Sequence, residues 1–109
     1  MSEWKSDYQR ELALAAAARE RNNEGQARVC ARRAAGVAIR EYYRRQGKPI
    51  TIPSAFDLLK LLMDDVSQPE AVRQSAASLT LRVNEQFKLP VDVDLVKEAE
   101  SIAEALLPE

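Results

Sequence analysis

The segment from Glu24 to Gln46 constrains the fold more than any other part of the chain. Ala27, Ala31, Ala34, Ala35, Ala38, Ile39 and Tyr42 recur at helical spacing, with Gly36 among them. Apolar residues three and four apart fall on one face of a helix. Nearly all of these are small, so a neighbouring helix can approach closely. Val29, Cys30 and Val37 fall outside the centre of the stripe. A helix apolar over so much of its circumference packs on more than one side. The segment is therefore expected inside a bundle, with its second contact supplied by another helix or by a second subunit.

The remaining sequence divides into partners for that helix. Trp4, Tyr8, Leu12, Ala15 and Ala18 place one face on a first helix, from about Glu3 to Asn22. Asn22-Asn23-Glu24-Gly25 breaks it, and Asn23 with Gln26 three residues on suits a capping box opening the second helix. Gly47 to Pro53 is a connector, because two prolines resist regular structure. A third helix is expected from Ser54 to Val66, capped through Ser54 and Asp57, with Phe56, Leu59, Leu62 and Met63 buried. Ser67-Gln68-Pro69-Glu70 reads as another capping box, with proline in the first turn. The fourth helix is expected to continue to about Phe87 through Val72, Ala76, Leu79 and Val83. Asp94 caps a fifth, with Leu95, Ala99, Ile102 and Leu106 in phase. No sustained period-two pattern exists, and short connections favour antiparallel neighbours. The expected fold is all-α: a single domain over residues 1–109, an up-and-down bundle of four to five helices.

Composition excludes several chemistries. The 109 residues contain no histidine, one cysteine and three glycines. A His-based triad or metal site, an internal disulfide framework and a glycine-rich phosphate loop are all out of reach. No apolar run approaches the length of a bilayer span, and the polar N-terminus does not read as a signal peptide. A cytoplasmic protein without a cofactor, metal or membrane contact is expected. The net charge of −1 conceals an asymmetry: residues 1–48 carry +5 and residues 49–109 carry −6. Such a split suits an anion-binding face, or attraction between the halves within a fold or across a dimer.

The candidate chemistry concentrates on the second helix. Arg28, Arg32, Arg33, Arg40, Arg44 and Arg45 lie along it, and Arg33, Arg40 and Arg44 share a face by spacings of seven and four. Arginine presents a planar fork of donors that suits phosphate, and such a row can follow a nucleic-acid backbone. The competing reading is a solvated face, with Arg45 paired to Glu41. Val29 and Val37 are the candidates for a dimer interface. Asp64 and Asp65 oppose the dipole at the end of the third helix, which points to an Arg partner or a cation. Adjacent helical residues do not share a face, so they are poorly arranged as a metal site. Asp92 and Asp94 read as turn and cap residues. Cys30 has no histidine to activate it and reads as a packed residue. Tyr42 is assigned to the core and Tyr43 to an edge.

The stretch from Glu24 to Tyr43, a small-residue helix ending in an aromatic pair, resembles the second helix of small prokaryotic HEPN domains. Pro53-Ser54-Ala55-Phe56-Asp57-Leu58-Leu59-Lys60-Leu61-Leu62 resembles their short third helix. Leu89-Pro90-Val91-Asp92-Val93-Asp94, leading into Lys97-Glu98-Ala99-Glu100, is similar to their last connection and helix. The likeness spans about residues 3–107. It implies a HEPN-like bundle that forms homodimers. Many members are metal-independent ribonucleases in which the dimer forms the active cleft. Others bind nucleotides, RNA or a minimal nucleotidyltransferase partner without catalysis. The ribonucleases use an arginine followed four to six residues later by a histidine. Arg73 and Arg82 are the places to look in this chain, and neither is followed by one. No catalytic residue carries over. The expectation is a module that is not an enzyme, dimerises, and binds RNA or nucleotide phosphates through the arginine-rich helix. The alternative is a pure protein-interaction partner of a nucleotidyltransferase-like protein, in a two-component, toxin–antitoxin-like pair.

Overall fold

The computed structural model describes residues 3–81 and 93–108. Five helices are present: α1 (Glu3–Glu20), α2 (Glu24–Arg45), α3 (Ala55–Asp64), α4 (Glu70–Leu79) and α5 (Leu95–Leu106). No strand occurs among the described residues. The protein is an all-α bundle.

Local chemistry sets most of the boundaries. Asn22 takes the left-handed conformation (φ 59°) and ends α1 two residues before the expected limit. Asn23 then caps α2, its side chain accepting from the Gln26 N–H at 3.1 Å. Gly47, at φ 75°, turns the chain after α2. Ser54 caps α3 by accepting from the Asp57 N–H. Asp94 caps α5 by accepting from the Val96 and Lys97 N–H groups. Each cap satisfies donors that a helix leaves without intrahelical partners.

The capping box at the start of α4 does not form. Pro69 occupies the cap position without a side-chain hydrogen bond. Ser67 is turned the other way: its N–H and hydroxyl both donate to Asp65 Oδ1, at 3.1 and 2.6 Å. The stronger acceptor, a carboxylate two residues back, takes both Ser67 donors. The helix also stops at Leu79 rather than near Phe87, with Thr80 as its C-cap. Val83 and Phe87, on which the longer helix rested, lie outside the described residues, as does Asp92.

Packing follows the small-residue stripe. α2 lies against α1, α3 and α5, while α4 closes the ring between α3 and α5. Ala31, Ala35, Ala38 and Ile39 of α2 join Leu58, Leu59 and Leu62 of α3, Leu79 of α4 and Leu95, Ala99 and Ile102 of α5 in the main core. A smaller cluster, Ala15, Ala18, Ala27 and Cys30, seals the α1–α2 hairpin. Alanine-on-alanine contact brings these two backbones close. Gly36 meets α3 most tightly: a β-carbon there would lie 3.2 Å from the Ala55 Cβ.

Cys30 is buried at 1% exposure in the hairpin core, as its reading as a packed residue expects. The assignment of the tyrosine pair is corrected. Tyr43 is the buried tyrosine of its pair, and Tyr42 is half-buried beside it. The turn between α3 and α4 packs over that side of α2 and supplies the acceptor a buried phenol needs.

α1 is tied to α5 at both ends. The Arg19 guanidinium forks onto Glu24, with contacts of 2.9 and 2.7 Å, and reaches Asp94 at 3.1 Å. At the other end Trp4 and Tyr8 share a hollow with Ala103, Glu104 and Leu107. The two helices therefore run antiparallel. None of the described helices is long and apolar enough to cross a membrane.

Candidate functional site

α2 is covered by α1 on one flank and by α3 on another, and between them its outer face stays open. The opening is a groove of about 510 Å³. Its α2 side carries Val29, Arg32, Arg33, Gly36, Val37 and Arg40. Glu11 borders it from α1, and Pro53, Ser54, Ala55, Phe56 and Leu58 border it from α3 and its connector. A volume of this size lies within the ~300–1,000 Å³ range of small-molecule sites. Three of the six candidate arginines and both candidate interface valines thus meet in one place, because positions 29, 33, 37 and 40 return to the same side of a helix.

The arginines are not equivalent. Arg32 donates from Nε to the Leu79 carbonyl at 2.8 Å and from a terminal nitrogen to the Leu81 carbonyl at 2.9 Å. It thereby satisfies acceptors at the end of α4. Arg40 donates to the Ile52 carbonyl at 2.8 Å and pins the connector before α3. Both guanidinium groups are held in place by these bonds while still lining the groove. Arg33 is exposed and, among the described residues, has no ion-pair partner.

The other three candidates do not join them. Arg44 and Arg45 both bind Glu41, at 2.7 and 2.8 Å. Arg44 first and Arg45 second hold the Glu41 carboxyl down at about 2, against the desolvation that opposes it. The expected Arg45–Glu41 pair is therefore present, shared with Arg44. Arg45 also lies 5.9 Å from the Trp4 ring centroid. Arg44 borders a neighbouring hollow with Trp4, Asp7, Val37 and Arg40. Arg28 acts on Glu24, whose carboxyl is lowered chiefly by its hydrogen bond to Arg19.

Among the described residues, Asp65 forms no ion pair with an arginine. Its partners are Ser67 and the Tyr43 hydroxyl, which donates to Oδ2 at 2.6 Å. Ser67 first and Tyr43 second hold its carboxyl at about 2. Beside it, Gln68 Nε2 donates to the Tyr42 hydroxyl at 3.0 Å. Both members of the aromatic pair are thus bonded to the turn between α3 and α4. Sequence reasoning missed this network because its partners lie 22 and 26 residues apart.

It also missed Glu11. Glu11 borders the groove, and its Oε1, shielded from solvent, has no hydrogen-bond partner. Trp4 Nε1 is the other side-chain atom among the described residues in this condition. A carboxylate without a donor is costly to bury, and the only prior signal was an acidic residue on a helix whose neighbouring turn faces the core.

No family model matches the chain, and no curated protein or solved structure matches it.

Proposed function

We propose that this chain is a noncatalytic, HEPN-like cytoplasmic module that binds RNA or nucleotide phosphate in the α2 groove and works as a homodimer. The observation that carries the reading is the meeting of Arg32, Arg33 and Arg40 in one groove. Two of these guanidinium groups are preorganised by backbone carbonyls, and the third is exposed. Preorganised donors lose less freedom on binding a phosphate than flexible ones. The lack of histidine supports the noncatalytic half of the proposal, since the family's ribonucleases need that residue. Val29 and Val37 support self-association: they border the same groove and remain half-buried in the single chain. A two-fold pairing there would set two grooves facing one another.

Fluorescence anisotropy with a labelled oligoribonucleotide tests the phosphate reading. Wild-type protein should bind at low salt, with affinity falling as salt rises. Arg33→Gln should weaken binding and flatten the salt slope by about one unit. Arg33 is the residue to change, because Arg32 and Arg40 also hold backbone. Absence of wild-type binding at low salt refutes this reading.

The second reading, a protein-interaction partner for a nucleotidyltransferase-like protein, is favoured by the apolar share of the groove: Val29, Val37, Pro53 and Phe56. Light scattering over a dilution series, on wild type and Val37→Glu, separates self-association from a need for another protein. A wild type that remains monomeric at high concentration removes the homodimer.

A further inference from the structure

The hollow between the start of α1 and the end of α5 differs in chemistry from the α2 groove. Trp4, Lys5, Tyr8 and Gln9 line it from α1, and Ala103, Glu104 and Leu107 from the other side. Its volume is about 280 Å³, just below the ~300–1,000 Å³ range of sites for drug-sized molecules, so it suits a compact group. The Trp4 and Tyr8 ring centroids lie 6.0 Å apart with their planes tilted by 50°, so the two rings are not stacked face on face. An aromatic face attracts a cation that comes within ~6 Å of its centroid. Trp4 already does so once: the Arg45 guanidinium of α2 lies 5.9 Å from its ring centroid, and Arg45 is not among the residues that line this hollow.

Charge at the hollow points the same way. Glu104 lines it and Glu100 stands one turn earlier on α5; both are exposed. Burial first, then Glu100 and Glu104, push the Tyr8 phenol up to about 12, so the charges acting on that ring are both negative. Lys5 is the opposing charge on the lining, exposed and on a flexible stem. An anion is repelled by the two carboxylates, and a neutral apolar molecule makes no use of them. A simple ammonium is strongly hydrated, whereas an alkylated one presents methyl groups that pack on rings while keeping its charge. We propose that this hollow binds a small alkylated ammonium cation, of the choline or trimethyllysine type, against Trp4 and Tyr8, with Glu100 and Glu104 supplying the countercharge. The site is separate from the α2 groove and does not depend on the phosphate reading.

Trp4 is the single tryptophan, so its emission reports on the site directly. Choline is titrated into the intact protein, followed by fluorescence and by calorimetry, against its neutral carbon isostere, in which a tert-butyl group replaces trimethylammonium. Choline should bind about fivefold or more tightly than the isostere, the discrimination expected of a cation on two rings. Tyr8→Leu should abolish that preference. Glu104→Gln should weaken choline about twofold to fivefold, with a smaller effect at high salt, and Lys5→Gln should strengthen it; neither should alter binding of the isostere. A trimethyllysine peptide measured alongside distinguishes the sources: affinity above that of choline assigns the cation to a partner chain, and affinity at or below it to a free molecule. Equal binding of choline and isostere by wild type overturns the proposal, as does the absence of a saturable response to choline. Choline binding that responds to neither Glu104→Gln nor Lys5→Gln overturns the placement in this hollow. Those two variants lie at exposed positions and decide the question even where Tyr8→Leu does not fold.

Discussion

Replacing Tyr43 with phenylalanine removes one hydroxyl and little else. The ring is 6% exposed and packs edge-on against Tyr42, with centroids 5.1 Å apart, so the apolar contacts remain. What is lost is the 2.6 Å hydrogen bond to Asp65 Oδ2. A hydrogen bond to a charged group contributes about 1.5–3 kcal/mol. Asp65 keeps its Ser67 donors and is partly exposed, so water can replace the phenol. The lower part of that range applies, about 1.5–2 kcal/mol. For a domain of this size the midpoint of thermal unfolding should fall by roughly 6–12 °C. Urea unfolding followed by circular dichroism and by the single tryptophan, Trp4, measures it directly. The pH dependence gives an independent check. Ser67 and Tyr43 hold the folded Asp65 carboxyl at about 2, whereas in the unfolded chain it titrates near ~3.9. The stabilisation is therefore full above the unfolded value and is lost as pH falls toward the folded one. Without the phenol, Asp65 is less depressed, and the gap between wild type and variant should narrow below pH ~4. Tyr43 itself is pushed above its ordinary range, by burial first and by Asp65 second. Its neutral form favours the fold, so wild type loses stability once pH exceeds the unfolded value near ~10, and the variant has no such group. The gap should narrow there too. A loss under about 0.5 kcal/mol at neutral pH, within the range of an ordinary surface substitution, refutes the argument. So does a loss that is constant across pH.

Two further substitutions probe the frame around the groove. Asp94→Ala deletes the α5 cap and one partner of Arg19; a cost of about 1–2 kcal/mol is expected from chemical unfolding, and a change indistinguishable from zero would show that the cap contributes nothing. Gly36→Ala gains up to about 1 kcal/mol of helix propensity but sets a β-carbon 3.2 Å from Ala55, so the net change should be small, while Gly36→Val should cost about 1–3 kcal/mol by overpacking; a valine variant as stable as wild type would mean that α3 shifts freely on α2.

The parts of the fold that were legible in the sequence are those decided within a few residues. Asn23, Ser54 and Asp94 act as caps because an oxygen three or fewer residues from an orphan N–H needs no distant information. The alanine stripe announced the central helix for a similar reason, since helical period alone places Ala31, Ala35 and Ala38 together. Ser67 shows where local reading fails. It stood at a good capping position, yet Asp65 is the stronger acceptor for its donors, and two plausible local motifs competed for one side chain. Tyr42 and Tyr43 fail differently. Neighbouring positions on a helix differ by about 100°, and the choice between them was made by the α3–α4 turn, which supplies Asp65 to one and Gln68 to the other.

The arginine row is the harder case, because six identical side chains perform at least three tasks. Arg32 closes the end of α4 through carbonyls 47 and 49 residues away, Arg40 pins the connector through a carbonyl 12 residues away, and Arg44 and Arg45 converge on Glu41. Only the last of these could be anticipated from spacing. The same bonds that employ Arg32 and Arg40 structurally also fix where their remaining donors point, so a structural duty and a binding duty are compatible in one guanidinium. They differ in what a substitution does. Removing Arg32 or Arg40 orphans backbone carbonyls, and any loss of binding is then mixed with a loss of folding. Removing Arg33 changes the charge of the groove without breaking a bond among the described residues. A ligand effect confined to Arg33, with unfolding free energy unchanged, is therefore the one result in this helix that separates an anion site from a well-paired surface.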